Sequence, residues 1–154
     1  MTKTSGDGML NKVNDAAYTF DFGSFDISTG TKNAVLALSN AQLDPVFQDL
    51  LNGSFDISAK GAFSLSRFDS FTGLAISGSR ALTISFDSNL TMGSYTGQLV
   101  FTPISANASG TSSMNAITMN LEALAIPEPS TWAIFLGSLG MLTFGQRLRR
   151  RSKA

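Results

Sequence analysis

The sequence predicts an all-β protein, an antiparallel β-sandwich of seven to nine strands followed by one C-terminal hydrophobic helix. Apolar and polar residues alternate in several short stretches of the first 125 residues, which is typical of strands with one buried face. Glycine, asparagine and aspartate separate these stretches, as expected for tight turns between short strands. Helical spacing of apolar residues occurs in this region only within residues 41–51, which stay open between helix and strand.

Each strand is predicted from the apolar residues that share one of its faces. In chain order these are Tyr18, Phe20 and Phe22; Ala34, Leu36 and Leu38; Phe55 and Ile57; Phe63 and Leu65; Leu82, Ile84 and Phe86; Leu99 and Phe101; and Ile117, Met119 and Leu121. The glycines in residues 93–97 predict a turn before the strand of Leu99. About ten large side chains would be buried, at roughly 1.5–3 kcal/mol each, which is enough for a small core. The sandwich is therefore assigned to residues 17–125, and residues 1–16 are expected to be a disordered or truncated N-terminus.

Composition excludes several kinds of catalytic site. The chain has no cysteine and no histidine, so disulfides, thiolate nucleophiles, Ser-His-Asp triads and the usual zinc ligands are absent. A pair of carboxylates would still permit hydrolysis. The candidates Asp21, Asp26, Asp56, Asp69 and Asp87 each follow a phenylalanine at an apparent strand end, where aspartate stabilises turns. We therefore predict a protein that is not an enzyme and uses no metal or other cofactor.

The charge is distributed unevenly along the chain. The formal net charge is zero, yet residues 1–126 carry six Lys/Arg against ten Asp/Glu, and residues 127–154 carry five against one. Nucleic acid is not an expected partner, because the body is acidic and the basic residues cluster at one end.

The last residues, 126–154, form a tail segment that differs from the rest. It opens with Pro127, Glu128 and Pro129, continues with uncharged residues 131–145, and ends with a basic stretch, residues 146–154. As a helix, residues 131–145 would reach about 22 Å, against a hydrocarbon core of about 30 Å, so they suit a thin or transient membrane span. The predicted membrane residues are Trp132, Ile134, Phe135, Leu136, Leu139, Met141, Leu142 and Phe144.

Positive charge beside an apolar segment tends to stay in the cytoplasm. The basic residues here are Arg147, Arg149, Arg150 and Arg151. They predict a cytoplasmic C-terminus and a body on the other side of the membrane.

The order Pro-Glu-Pro, apolar segment, terminal arginine cluster resembles the PEP-CTERM protein-sorting signal of Gram-negative bacteria, a segment also labelled the ice-binding protein C-terminal domain. The resemblance implies an exosortase in the inner membrane as processing partner, cleavage near Pro127–Pro129, and release of the body to the cell surface or extracellular matrix. The family also implies an N-terminal export signal. Residues 1–20 contain no apolar run of that kind, as an export signal would have, so a truncated start is expected.

The body resembles an ASH-type, choice-of-anchor, Ig-like domain. The matching stretches are Phe20-Asp21-Phe22-Gly23, Leu36-Ala37-Leu38-Ser39-Asn40, Gly61-Ala62-Phe63-Ser64-Leu65 and Gly93-Ser94-Tyr95-Thr96-Gly97. The resemblance implies an Ig-like antiparallel β-sandwich with a structural or binding role and no catalytic residues.

Together these features predict a non-catalytic, exported surface or matrix protein whose precursor is held in the inner membrane. Two alternatives stay open. The chain could be anchored permanently by its C-terminal helix, or it could be a carbohydrate-binding module that contacts exopolysaccharide through Tyr95, since exposed aromatic rings stack on sugars.

Overall fold

Eleven strands are formed by the residues that this computed structural model describes, namely 1–27, 29–41, 49–87, 90–127, 133–137 and 141. They are β1 (Thr2–Gly6), β2 (Met9–Asn14), β3 (Ala17–Asp26), β4 (Lys32–Ser39), β5 (Leu50–Ala59), β6 (Phe63–Ser66), β7 (Phe71–Leu74), β8 (Ser79–Phe86), β9 (Gly93–Asn107), β10 (Gly110–Ser113) and β11 (Ile117–Ile126). Residues 133–137 and 141 are helical. Every one of the seven predicted alternating runs lies within a strand.

The strands form two sheets. One has the order β1-β4-β8-β6; the other has the order β2-β3-β11-β9-β5-β7, with β10 also paired to β9. Among the described strands every pair is antiparallel except β3 and β11, which run parallel. The predicted all-β sandwich is therefore confirmed, with one parallel pair and with more strands than the expected seven to nine.

The core lies between the two sheets and is rich in phenylalanine. The fully buried ring of Phe86, on β8, lies 5.1 Å from the rings of Phe25 and Phe63 and 5.3 Å from that of Tyr95. Because Phe25 and Tyr95 belong to the sheet opposite Phe86, these edge-on and tilted contacts join the sheets directly.

The expected disorder of residues 1–16 is wrong, because these residues form β1 and β2. β1 pairs with β4 in one sheet and β2 pairs with β3 in the other. Between them, the amide of Asp7 donates to the carbonyl oxygen of Asn33 at 2.7 Å, and the amide of Asn33 donates to the Asp7 carboxylate at 3.0 Å. Both strands are mostly exposed, so backbone pairing forms them without an apolar alternation in the sequence.

The predicted turn at residues 93–97 is also wrong. These residues begin β9 and pair with β11, from Gly93 opposite Ala125 to Gly97 opposite Leu121. Gly97 is buried there, within the strand. Of the ambiguous residues 41–51, Leu50 and Leu51 begin β5, and residues 42–48 lie outside the described part.

Candidate functional site

The sandwich ends where the Pro-Glu-Pro sequence begins. β11 lies between β3 and β9, and its last residue is Ile126, next to Pro127. Ile126 is paired with Asp26 of β3. Beyond that pair, the amide of Ile27 donates to the carbonyl oxygen of Ile126 at 3.2 Å. The sheet is therefore hydrogen-bonded up to the residue that precedes the proline.

Only part of the predicted sorting and membrane residues is described. Pro127 is half-buried, and the side chains of Ile134, Phe135, Leu136 and Met141 are exposed. The predicted residues outside the described part are Glu128, Pro129, Trp132, Leu139, Leu142, Phe144, Arg147, Arg149, Arg150 and Arg151.

No helix in the described part of the chain is both long and apolar enough to cross a membrane. The transmembrane helix predicted for residues 131–145 is therefore not found there. Of that segment, the structure describes residues 133–137 and 141 alone.

Three exposed apolar side chains lie at the end of the sandwich from which the tail segment leaves. Leu124 and Ile126 are 42% and 36% exposed and alternate with buried alanines on β11. Met92, 60% exposed, directly precedes Gly93, and Gly93 pairs with Ala125. That pairing places Met92 beside the end of β11. We call Met92, Leu124 and Ile126 the junction patch.

A cavity of about 450 Å³ opens at the opposite end of the sandwich, where β11 begins with Ile117. Its apolar lining includes Leu38, Leu51 and Phe101, and its polar lining includes Asn40, Asp49 and Ser105. The residues come from distant parts of the chain, so no local sequence pattern predicted the cavity.

Asp49 is the carboxylate of this cavity, and neighbouring side chains fix it. The hydroxyl of Ser105 and the amide of Asn107 donate to its two oxygens, the latter at 3.0 Å. These bonds, that of Ser105 first, lower the pKa of Asp49 below its ordinary value of 3.8, because they stabilise the ionised form. The side chain of Asn40 donates to the carbonyl oxygens of Asp49 and Leu74, each at 3.0 Å.

The aspartates considered as catalytic candidates lie on β3, on β5 and in the segments that follow β6 and β8. Asp21 accepts a hydrogen bond from the amide of Gly23 at 2.7 Å, and Asp69 forms an ion pair with Arg80 at 2.6 Å. Both contacts are structural. Within the described ranges, no three acidic side chains converge as they would around a metal ion.

Tyr95 is poorly placed to stack on a sugar. It is half-buried, its ring packs edge-on against Phe86, and its hydroxyl donates to the carbonyl oxygen of Thr91. The ring and the hydroxyl of Tyr95 therefore both make contacts within the protein.

A row of polar side chains, missed by the sequence analysis, crosses the outer face of the larger sheet. The amide of Gln98 donates to the side-chain oxygen of Asn120 at 3.0 Å. The hydroxyl of Ser58 lies 3.4 Å from the carbonyl and side-chain oxygens of Gln98. These residues come from three strands far apart in sequence, and all three are exposed. We call Ser58, Gln98 and Asn120 the polar row.

Residues 125–151 match the PEP-CTERM protein-sorting motif, which confirms the resemblance of the tail segment. The motif implies a membrane-associated precursor, an exosortase as processing partner and export to the cell surface. No curated protein sequence matches the chain significantly.

Several solved structures resemble the fold. An ASH/PapD-like domain of human CEP192 (PapD-like domain 7) is 16% identical, over 68% of this chain and 81% of that one, with a TM-score of 0.48. The N-terminal domain of PorA is 14% identical, over 72% and 90%, with a TM-score of 0.41. A family 123 glycoside hydrolase from Clostridium perfringens is 10% identical, over 77% and 24%, with a TM-score of 0.35. None of these likenesses carries a conclusion about function.

Proposed function

We propose that the chain is the precursor of a non-catalytic surface or extracellular-matrix protein. The sandwich is the part delivered, and the tail segment is a sorting signal removed near Pro127–Pro129 by an exosortase. The observation that carries this proposal is the coincidence of two boundaries. The paired sheet ends at Ile126, and the sorting motif spans residues 125–151.

This boundary suits proteolytic release. β11 pairs only with β3 and β9 among the described strands, and both precede the motif in the chain. Cleavage after Pro127 would thus leave every pair of β11 intact. A peptide bond inside β11 is held on both sides, whereas proline has no amide hydrogen with which to extend the ladder.

The proposed precursor has its arginine cluster in the cytoplasm and its body outside. Four arginines follow the apolar stretch within residues 146–154, and the body carries an excess of acidic residues. This asymmetry supports the orientation, because positive flanks resist translocation. The apolar segment then serves as a transient membrane segment before cleavage.

The test is the intact mass of the protein recovered from fractions of its native cells. A species ending near Pro127–Pro129, found outside the inner membrane, is the expected result. A full-length species confined to membranes, with its body in the cytoplasm, would contradict export and make the tail segment a permanent anchor.

A matched pair of variants makes this test specific. Glu128→Ala changes the centre of the Pro-Glu-Pro sequence and should leave uncleaved precursor in the membrane fraction. Glu122→Ala removes an exposed carboxylate of β11 outside the motif and should be processed normally. Equal processing of the two would count against recognition of Pro-Glu-Pro.

We propose exopolysaccharide as a second partner of the delivered sandwich, because the polar row offers exposed amide and hydroxyl groups to sugar hydroxyls. Retention on a polysaccharide column should fall with Asn120→Ala. It should not fall with Ser112→Ala, an exposed change on β10. Loss of retention in Tyr95→Ala alone would instead assign the polysaccharide contact to Tyr95 and contradict a role of the polar row.

A further inference from the structure

We propose that the junction patch rests on the lipid surface while the tail segment is inserted. This inference rests on the proposed function, because it requires the apolar segment to enter the membrane. It adds a second contact of the precursor with the bilayer, made by the folded sandwich itself.

The length of chain between sheet and membrane segment supplies the first argument. Residues 127–130 separate Ile126 from the apolar residues 131–145. Even fully extended, they allow at most about 18 Å between the Cα atoms of residues 126 and 131. A headgroup layer occupies roughly 5–8 Å of that distance. The remainder is about the width of one helix, so no further folded domain fits between the sandwich and the bilayer.

The side chains at this end supply the second argument. Leu124 and Ile126 point away from the core at the end of β11, and Met92 lies beside them. When residues 127–130 are less than fully extended, these three exposed apolar side chains at the point of exit would lie against the lipid headgroups. Transfer of such side chains from water is favourable.

The charges around the patch indicate the kind of lipid contact. Asp26, on β3, is paired with Ile126 of β11, and Glu122 lies on β11 two residues before Leu124. These carboxylates would be repelled by anionic headgroups. The contact should therefore form on zwitterionic vesicles and should be insensitive to salt, unlike binding through basic residues.

The absence of cysteine from the chain permits a clean test. Met92→Cys places one label in the junction patch, and Met114→Cys places one at the cavity end, where Met114 is 52% exposed. The full-length variants are labelled with an environment-sensitive fluorophore and reconstituted in phosphatidylcholine vesicles. Fluorescence of Trp132, the one tryptophan, reports separately whether the tail segment has inserted.

The expected result is a blue shift of Trp132 in both variants, with a blue shift and quenching by spin-labelled lipid for the label at position 92 alone. A blue-shifted emission of Trp132, together with the same label emission and quenching at positions 92 and 114, would overturn the patch contact. Membrane insertion of the tail segment would still hold. An unshifted Trp132 would overturn insertion, and the inference with it. A label at position 92 that responds only after addition of the exosortase would assign the patch to that enzyme and overturn a lipid contact.

A second pair of changes guards against an effect of the label. Leu124→Ser in the Met92→Cys background should reduce the shift and quenching. Leu50→Ser should not, because Leu50 is equally exposed, at 43%, but lies at the cavity end. Equal effects of both serines, or a signal abolished by high salt, would contradict an apolar contact made by the patch.

Discussion

The backbone amide of Ile27 donates a 3.2 Å hydrogen bond to the carbonyl oxygen of Ile126, ninety-nine residues later in the chain. This bond continues the parallel pairing of β3 with β11 to its last residue. The next residue is Pro127, which has no amide hydrogen and so ends the ladder by its covalent structure. The paired sheet thus ends within two residues of the point at which the sorting motif begins.

We expect a chain ending after Pro127 to be as stable as the full chain, to within about 0.5 kcal/mol, because no strand pair is lost. A chain ending after Leu121 should lose cooperative unfolding or show a much lower midpoint. It removes buried Ala123 and Ala125 together with their pairing to both neighbouring strands. Urea unfolding of all three chains in the same detergent measures this. Equal stability of the two truncated chains would show that the end of β11 does not hold the sandwich together.

Phe86→Ala should destabilise the protein by about 3–5 kcal/mol, the usual cost of removing a buried phenylalanine. The ring is fully buried and contacts aromatic rings of the opposite sheet. The matched control is Val13→Ala, at a 65% exposed position, which should change stability by less than about 0.5 kcal/mol. Chemical denaturation followed by far-UV circular dichroism measures both. A loss below about 1 kcal/mol for Phe86→Ala would argue against this contact between the sheets.

The alternating strands could be predicted from sequence because most of their apolar residues mark the buried face. Ile57 of β5 is an exception, since it is 38% exposed. β1, β2, β7 and β10 could not, since their side chains are mostly exposed or half-buried and backbone pairing alone makes them strands. The parallel pairing of β3 with β11 joins residues about a hundred positions apart, and no local pattern reports that register.

The candidate functional features likewise comprise some that could be predicted from the sequence and some that could not. The Pro-Glu-Pro sequence and the arginine cluster are contiguous, so the sorting motif could be found in the sequence alone. The polar row and the cavity are assembled from residues such as Ser58, Gln98 and Asp49 on separate segments. Tyr95 was misjudged because the glycines around it suggested an exposed turn, whereas they lie within β9.

Arg80→Lys should destabilise the protein by about 1–2 kcal/mol although the charge is kept. The guanidinium donates twice to the carbonyl oxygen of Arg67, at 3.1 and 2.9 Å, and once to Asp69 at 2.6 Å. It also lies 5.1 Å from the centre of the Phe71 ring. One ammonium cannot reproduce this planar set of contacts. Thermal or urea unfolding measures the loss.

The matched control for that change is Arg67→Lys. It alters the same residue type nearby but keeps the carbonyl oxygen that accepts from Arg80. We expect its effect to be small. Equal destabilisation by the two lysine variants would show that the fork of hydrogen bonds contributes nothing specific.

Ser105→Ala should raise the pKa of Asp49 towards 3.8, because the hydroxyl of Ser105 is the first cause of its lowering. A carboxyl group with a lowered native pKa contributes stability above its unfolded pKa and loses that contribution as pH falls through the native value. The wild type should therefore be more stable than Ser105→Ala near neutral pH, and this part of the difference should vanish in acid. NMR titration of the Asp49 carboxyl carbon, with urea unfolding at both pH values, measures the two effects.

Ser112→Ala, which changes an exposed serine on β10, is the control and should leave the titration of Asp49 unchanged. An unaltered Asp49 titration in Ser105→Ala would mean that this hydrogen bond does not hold the carboxylate in solution.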